Sequence, residues 1–399
     1  MAGKVITNAI SCASPYCDSP HSHESGNPFS ELFPSVVGQT GVKQKILKIL
    51  QSDRMAHAYL FVGQQGTGRL AMALEMARVL NCAEKNSVAS AGGCLCKPCR
   101  NVIQWNHPNI YPIFPLPRLD LDDGEAAAKT LQEFIETKRA DIYTPLKLTG
   151  TGRILIDQIR ELRKKLSLSM DRSGVRVVIA QPAERVRDES ANAFLKLLEE
   201  PPDRCCLVLI SESLRDLLPT VVSRCQTIRF APLSVTDIAA GLQQKHGIDS
   251  SRAVTAARLA GGNFARAVAL TEGDTAEKLN ESLEFLRAAA VGNPVKITAM
   301  VDAWSGWTER SQIDEKLSYT AMWIKDAIAW KSFGSEQATA HLDVAEGEDT
   351  VERMANRYTH EQLQRAWVEI ETSRQAVDAN TNIPLALTVL ALRLNRTLK

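Results

Sequence analysis

The most informative stretch of this sequence is Tyr59-Leu60-Phe61-Val62-Gly63-Gln64-Gln65-Gly66-Thr67-Gly68-Arg69-Leu70. Its apolar beginning has the length and composition of a buried β-strand, and it runs into a loop that contains Gly63, Gly66 and Gly68. The next residues, 71–80, have the composition of a helix. A strand, a glycine-rich loop and a helix in this order are typical of a phosphate-binding loop, and Gly63-x4-Gly68 has the spacing that such a loop requires.

Two residues that nucleotide hydrolysis requires are absent from this loop. A lysine normally follows the last glycine and reaches the terminal phosphates, and a Ser or Thr then holds magnesium. Arg69 and Leu70 occupy these positions. Leucine cannot coordinate a hard cation, which needs oxygen ligands, and arginine is a wide planar fork rather than a point donor. The stretch therefore predicts the shape of a nucleotide-binding loop with altered functional groups.

A second apolar strand, predicted at 175–180, leads to the same conclusion. In P-loop ATPases such a strand ends in an Asp that holds magnesium, and a Glu that activates water usually follows. Here the strand is followed by Gln181-Pro182-Ala183-Glu184, so both carboxylate positions are changed and Glu184 lies two residues too late to replace them directly. Because this change is independent of the one in the loop, the sequence predicts a chain without intrinsic ATPase activity.

Length, charge and cysteine content restrict the class of protein. With 399 residues the chain is long enough for two or three domains. Its 47 Lys+Arg and 46 Asp+Glu nearly cancel, which argues against independent binding to nucleic acid. The longest apolar run, 205–210, is too short to cross a membrane. Nine cysteines, an odd number, favour the reducing cytoplasm over a disulfide-bonded fold.

Four cysteines predict a structural metal site. Cys82, Cys94, Cys96 and Cys99 fall within eighteen residues, and Cys96-x2-Cys99 has the usual spacing of a zinc knuckle. Four thiolates complete a tetrahedral zinc shell and leave no open position, so such a site would be structural rather than catalytic. The alternative is a loop with unliganded thiols, since Cys94-x-Cys96 is tighter than the common two-residue gap.

The distribution of apolar segments predicts four regions. Residues 1–30 are rich in Ser, Pro, His and Gly and predict a disordered leader. Residues 31–231 alternate strands and helices, which is typical of an α/β fold with a mostly parallel sheet and helices on both faces. Residues 232–278 predict a small helical lid, and 279–399 predict an all-α domain that holds five of the six tryptophans.

Three details within these regions complete the prediction. The leader contains potential metal ligands that no apolar framework would fix, so they are interpreted as incidental: Cys12, Cys17, His21 and His23. Residues 106–153 are interpreted as a surface insertion. Ile154-Leu155-Ile156 is interpreted as a further strand, followed by a helix with Ile159, Leu162 and Leu166 facing inward.

Taken together, these residues resemble the bacterial DNA polymerase III clamp-loader subunits, which are AAA+ proteins, and among them the delta-prime type. The resemblance covers residues from about 33 to 275 well, and the C-terminal region more loosely, chiefly at Asn380-Thr381-Asn382. It is carried by four motifs in order: Val37-Gly38-Gln39, His57-Ala58-Tyr59-Leu60-Phe61-Val62-Gly63, Asn192-Ala193-Phe194-Leu195-Lys196-Leu197-Leu198-Glu199-Glu200-Pro201-Pro202 and Ser223-Arg224-Cys225.

The resemblance implies an AAA+ P-loop domain, a helical lid and a helical collar that joins a hetero-pentameric ring. Its implied partners are clamp-loader subunits of the gamma/tau and delta types and, through the assembly, the sliding clamp and primer-template DNA. It implies that Arg224 acts in trans as an arginine finger on the ATP of a neighbouring subunit, and that Arg266 matches a lid arginine that contacts nucleotide in active relatives. Relatives that hydrolyse ATP keep the lysine, the Ser/Thr and the strand-end acid, so this chain matches the delta-prime type better than gamma/tau.

Two other functions stay open from the sequence. One is a divergent gamma/tau-like ATPase in which Arg69 replaces the lysine and Glu184 serves the metal; ATP turnover by the isolated chain would favour it. The other is a zinc-stabilised scaffold in replication or repair, which failure to co-purify with clamp-loader subunits would favour. The family usually spaces the last three cysteines of its knuckle two residues apart, whereas Gly93 stands at the first of these positions and Cys94 next to it.

Overall fold

The fold was analysed in a computed structural model of the chain. The structure describes residues 32–52, 55–84, 94–116, 124–145, 152–167, 174–186, 189–271, 275–306, 310–334, 348–378 and 381–399. The predicted leader, with its cysteines and histidines, lies outside these ranges. The chain forms two compact units: the first extends to Gly241 and includes Gly262–Arg266, and the second comprises Leu242–Gly261 and Ala267–Lys399. The predicted domain boundaries near residues 231 and 278 stay predictions.

The first unit is built around a five-stranded sheet in which every neighbouring pair is parallel. Its strands are β1 (Ala58–Val62), β2 (Ile110–Ile113), β3 (Arg176–Ala180), β4 (Cys205–Ser211) and β5 (Gln226–Arg229), in the spatial order β2-β3-β4-β1-β5. Strands β1, β3 and β4 are buried along their whole length, as expected for parallel strands that are covered on both faces. The predicted α/β class is confirmed.

Helices cover both faces of this sheet. The helices between residues 40 and 246 are α1 (Thr40–Gln51), α2 (Arg69–Leu80), α3 (Lys97–Ile103), α4 (Gly124–Ala140), α5 (Ile156–Ser167), α6 (Glu189–Glu199), α7 (Pro219–Val222) and α8 (Val235–His246). On one face, Leu60 and Leu209 pack with Leu162 of α5 and Phe194 of α6. Side chains alternate along a strand, so those of β4 point to both faces of the sheet. Helix α2 also packs against β4.

Two predictions about the middle of the sequence are wrong. Residues Ile110–Ile113 form the edge strand β2, which pairs with β3, so the described part of 106–153 contributes to the sheet and is not simply a surface insertion. Ile154 forms only an isolated bridge with Val186, and Ile156 begins α5 instead of ending a strand. Both errors involve short apolar runs, in which periodicity cannot distinguish a strand from a helix or from buried irregular chain.

The second unit is helical, as predicted. The helices of the C-terminal part of the chain are α9 (Ser250–Leu259), α10 (Phe264–Thr271), α11 (Thr275–Val291), α12 (Pro294–Ser305), α13 (Arg310–Phe333), α14 (Glu348–Arg357), α15 (His360–Asp378) and α16 (Ile383–Thr397). Asn293 and Asn382 cap α12 and α16 by accepting backbone N–H groups. A proline follows in the first turn of each helix, where a backbone N–H would have no partner within the helix.

Tryptophans contribute to the core of this unit. Trp304 stacks on Phe285 with ring centroids 4.7 Å apart, and Trp323 is buried. Trp367 is 41% exposed, so it is not a core residue, and Trp307 lies outside the described residues. Across the described part of the chain, no helix combines the length and the apolar composition needed to cross a membrane.

Candidate functional site

The loop between β1 and α2 has the predicted strand–loop–helix conformation. Gly66 and Gly68 have φ angles of +74° and +89°, which glycine adopts without the steric cost that a Cβ brings. Gly68 directly precedes α2. A Cβ on Gly63 would lie 2.4 Å from the carbonyl oxygen of Phe230, so the first glycine allows the chain after β5 to approach the loop closely.

The segments on either side hold this loop in place. The backbone N–H of Phe264 donates to the carbonyl oxygen of Gly66 over 3.1 Å. Gln39, from the Val-Gly-Gln motif, donates through Nε2 to the carbonyl oxygens of Thr67 (3.1 Å) and Ala231 (2.6 Å). The Val-Gly-Gln motif, one of the four that carry the resemblance, therefore has a structural role here. The side chain of Gln39 links the loop to the segment after β5.

We expect Gly66→Ala to lower the free energy of unfolding by about 2–3 kcal/mol, because it combines a positive φ with the loss of a helix cap. The new Cβ would lie 1.7 Å from Oδ1 of Asn263, which accepts the backbone N–H of Arg266 in the first turn of α10. Gly247→Ala is the matched control, since Gly247 has φ +65° and open space around the added Cβ, and should cost about 1 kcal/mol. Urea unfolding measures both; equal losses would show that the contact with Asn263 is unimportant.

Arg69 is buried beside the chain's own carboxylates. Its Nη2 lies 3.9 Å from Oε1 of Glu212, the residue after β4. Burial lowers the pKa of Arg69, while the charges of Glu212 and Glu184 oppose this shift. Leu70 is also buried, so the position of the missing magnesium ligand is part of the apolar core. The guanidinium therefore lies near acids of the same chain, which would compete with any phosphate at this loop.

The same region contains two residues that the sequence did not identify. Tyr143, on the turn after α4, is buried, and its hydroxyl accepts the backbone N–H of Val37 over 2.8 Å. Lys138, near the end of α4, is also buried and donates through Nζ to the carbonyl oxygens of Ile142 and Thr144. Burial lowers the pKa of Lys138 to about 8, although the charge of Asp141 opposes the shift. No spacing or motif marks either residue, since both reach the loop through tertiary packing.

Arg224 lies on the surface of the first unit, between α7 and β5. Its side chain is 36% exposed, and its Nη2 lies 2.6 Å from Oε1 of Glu199, the last residue of α6. Its Nη1 donates to the carbonyl oxygen of Thr220 over 3.0 Å. Exposed ion pairs of this kind contribute little to stability, so the guanidinium can exchange its carboxylate partner for a more strongly charged anion. Arg266 is half-buried in the first turn of α10, and its nucleotide-sensing role stays a prediction.

The structure brings the four predicted metal ligands together. The sulfur atoms of Cys82, Cys94, Cys96 and Cys99 all lie within 4.8 Å of one another, with Cys82 Sγ 3.6 Å from that of Cys94 and 3.9 Å from that of Cys96. Tetrahedral zinc with Zn–S bonds of about 2.3 Å places sulfurs about 3.8 Å apart. The donor set and its spacing therefore fit a structural zinc ion, and the short Cys94-x-Cys96 gap does not prevent the thiols from converging.

Elements on both sides of the cluster position these thiols. Cys82 follows the end of α2, and Cys99 lies in the first turn of α3, where both are buried. Burial acts to raise the pKa of Cys96, but hydrogen bonds from the backbone of Cys99 and Ala83 and from neighbouring thiols lower it to about 7. The backbone thus favours the thiolate of Cys96, the form that binds zinc, whereas burial raises the pKa of Cys82 and Cys99.

Comparison with known proteins assigns the family. A family model described as DNA polymerase III, delta subunit matches residues 38–234, a range that contains the loop, the cysteine cluster and Arg224. The DNA polymerase III subunit delta' of Escherichia coli (strain K12) is 25% identical over 361 residues, which is 89% of this chain and 94% of that protein. The chain belongs to the bacterial clamp-loader subunits of the AAA+ type.

Two further proteins are similar to this clamp-loader subunit. The subunit delta' of Bacillus subtilis (strain 168) is 30% identical over 195 residues, or 49% of this chain, and the match spans only 48% of that relative's own length. Among solved structures, a DNA polymerase III gamma subunit-related protein from Thermotoga maritima is 17% identical with a TM-score of 0.38; the alignment covers 90% of this chain and 99% of that one. The long Escherichia coli match shows that the similarity of this clamp-loader subunit extends into its helical second unit.

Proposed function

We propose that this clamp-loader subunit is of the delta-prime type: it does not hydrolyse ATP itself, and it completes the ATP site of a neighbouring subunit with Arg224. The observation that carries the proposal is the burial of two residues, Arg69 and Leu70, at the end of the chain's own glycine-rich loop. Arg69 is buried against Glu212, and Leu70 is buried where a hydroxyl ligand of magnesium would stand. A hydrolytic P-loop needs a mobile point charge on the phosphates and an oxygen on the metal, and this loop offers neither.

The placement of Arg224 supports a role in trans. An arginine finger acts on nucleotide held by another subunit, so it must be exposed, and the contacts that hold it when the neighbour is absent must be weak. Arg224 meets both conditions through its surface position and its ion pair with the exposed Glu199. A bidentate guanidinium can then stabilise the charge that develops on the transferred phosphoryl group.

The proposal extends to partners and to the metal. The subunit would join gamma/tau-type and delta-type subunits in a hetero-pentameric ring that is part of the cytoplasmic DNA polymerase III holoenzyme and loads the sliding clamp onto primed DNA. With 47 basic and 46 acidic residues, the chain would leave most of the DNA-binding charge to its partners. Zinc held by the four cysteines would link the end of α2 to the start of α3 and would have no part in the chemistry.

Reconstitution distinguishes this function from the two alternatives. A complex of this chain with gamma/tau-type and delta-type subunits is assayed for ATP hydrolysis in the presence of clamp and primed DNA. We expect stimulated turnover only when the chain is present, and none when the gamma/tau-type ATPases are inactivated. Residual turnover after that inactivation would identify this chain as a divergent ATPase. Failure of the chain to assemble with these subunits would instead favour a scaffold outside clamp loading.

A further inference from the structure

Tyr143 lies in front of the altered loop and lines the small cavity there together with Gly66 and Gly68. The hydroxyl of Tyr143 lies 3.0 Å from the position that a Cβ on Gly68 would take, directly at the N-terminus of α2. Its ring meets the ring of Phe264 edge-on with centroids 4.7 Å apart, and its hydroxyl accepts the N–H of Val37. Packing against an aromatic ring and a hydrogen bond to the backbone are the contacts by which proteins hold a planar base. Tyr143 therefore places an aromatic ring and a hydrogen-bonded hydroxyl directly in front of the loop.

The helix that precedes Tyr143 is anchored to the sheet. Phe134 of α4 stacks on Phe114, just beyond the end of β2, with centroids 4.4 Å apart, and meets Trp105 edge-on at 5.8 Å. Near the end of α4, Arg139 donates through Nε to the carbonyl oxygen of Gln104 over 2.6 Å. These contacts on two sides fix the end of α4, and with it the point from which the turn starts.

The turn itself is held by internal hydrogen bonds. Asp141 accepts the backbone N–H of Tyr143 over 2.9 Å and the hydroxyl of Thr144 over 3.3 Å. The buried ammonium of Lys138 donates to the carbonyl oxygen of Ile142 over 3.2 Å and to that of Thr144. Lys138 thus supplies donors for two backbone carbonyls of this half-buried turn. The position of Tyr143 is therefore preorganised.

We propose that Tyr143 is an internal ligand of the altered loop and closes it to nucleotide, independently of the changes at Arg69 and Leu70. To enter, ATP would have to displace a buried aromatic ring together with the turn tied to Lys138. Its apparent affinity would then be reduced by the fraction of molecules in which the turn is open. The inference rests on the proposed function only in treating the loop as a former nucleotide site, and it is tested on the isolated full-length chain, whereas the role of Arg224 is tested in the assembled ring.

The test restores the loop chemistry with and without Tyr143. The double variant R69K/L70T supplies the missing lysine and hydroxyl, and Tyr143→Ala or Tyr143→Phe is added to it; the phenylalanine keeps the ring and serves as the matched control. Binding of Mg-ATP to each variant is measured by isothermal titration calorimetry. We expect the double variant and its Tyr143→Phe derivative to bind weakly or not at all, and the Tyr143→Ala derivative to bind about tenfold more tightly or better.

Hydrogen exchange supplies a second readout that does not depend on binding. In Tyr143→Ala we expect faster exchange at the Val37 amide and in loop residues 64–70, while the amides of β1 stay protected and show that the unit is folded. If the double variant binds ATP measurably and Tyr143→Ala leaves that affinity unchanged, the proposal is overturned. If no variant binds ATP, faster exchange in Tyr143→Ala still supports closure by Tyr143, with Gln181 at the carboxylate position accounting for the missing affinity; unchanged exchange overturns it.

Discussion

Replacing Arg224 with alanine is expected to reduce ATP hydrolysis by about 10³-fold or more at the neighbouring site that this chain completes, which is the range for loss of an arginine finger in other phosphoryl-transfer systems. The complex should still assemble, because the side chain is exposed and its ion pair with Glu199 is of a kind that contributes at most about 1 kcal/mol. Turnover of the reconstituted complex, stimulated by clamp and primed DNA, measures the effect. Arg224→Lys keeps the charge but not the planar fork, so we expect it to recover only part of the activity.

Two matched variants separate a catalytic from a structural role. Arg229→Ala removes another exposed arginine, the last residue of β5, and should leave turnover unchanged. Glu199→Gln breaks the ion pair while keeping Arg224, so turnover should be retained if the arginine acts on the neighbour's nucleotide. If Glu199→Gln reproduces the loss caused by Arg224→Ala, the pair serves to position α6 and α7. Unchanged turnover in an intact complex with Arg224→Ala would show that this arginine is no finger.

The sequence predicted the parts of the site that depend on local order. The β1–loop–α2 unit follows from an apolar run, glycine spacing and helix composition, all within residues 59–80, and the four cysteines converge as their clustering suggested. Tyr143 could not be found in this way. Its position depends on α4, which is placed by the stacking of Phe134 on Phe114. Packing between residues so far apart in the chain produces no periodic pattern in the sequence.

The loop keeps its shape for reasons that do not involve ATP. Gly63 allows the backbone at Phe230 to approach, and Gly66 accepts a hydrogen bond from Phe264, so both glycines serve contacts within the first unit. Arg69 and Leu70, by contrast, are both buried, and Arg69 lies 3.9 Å from Glu212 of the same chain. A nucleotide-binding loop can therefore lose its chemistry and retain its conformation, because the conformation also holds the chain segments that surround it.

Loss of the cysteine cluster is expected to have the largest effect on stability. The wild-type chain should contain about one zinc ion, which elemental analysis measures, and Cys99→Ala should contain almost none, because three thiolates no longer close a tetrahedral shell. We expect the free energy of unfolding to fall by about 4 kcal/mol or more, the size of effect associated with a lost metal, since zinc affinity contributes directly to folding. A chelator should lower the melting temperature of the wild-type chain and leave that of Cys99→Ala unchanged.

Cys206→Ala is the matched control for this prediction. Cys206 is as deeply buried as Cys99 but lies in β4, so the substitution loses packing and keeps the four ligands. Its zinc content and its response to chelator should match those of the wild-type chain, with a stability loss of about 1 kcal/mol from the smaller side chain. Wild-type chain without zinc, or a chelator effect of equal size in Cys99→Ala, would mean that the convergence of the thiols arises from packing alone. In that case the link between α2 and α3 would depend on the buried sulfurs of Cys82 and Cys99 acting as small apolar groups.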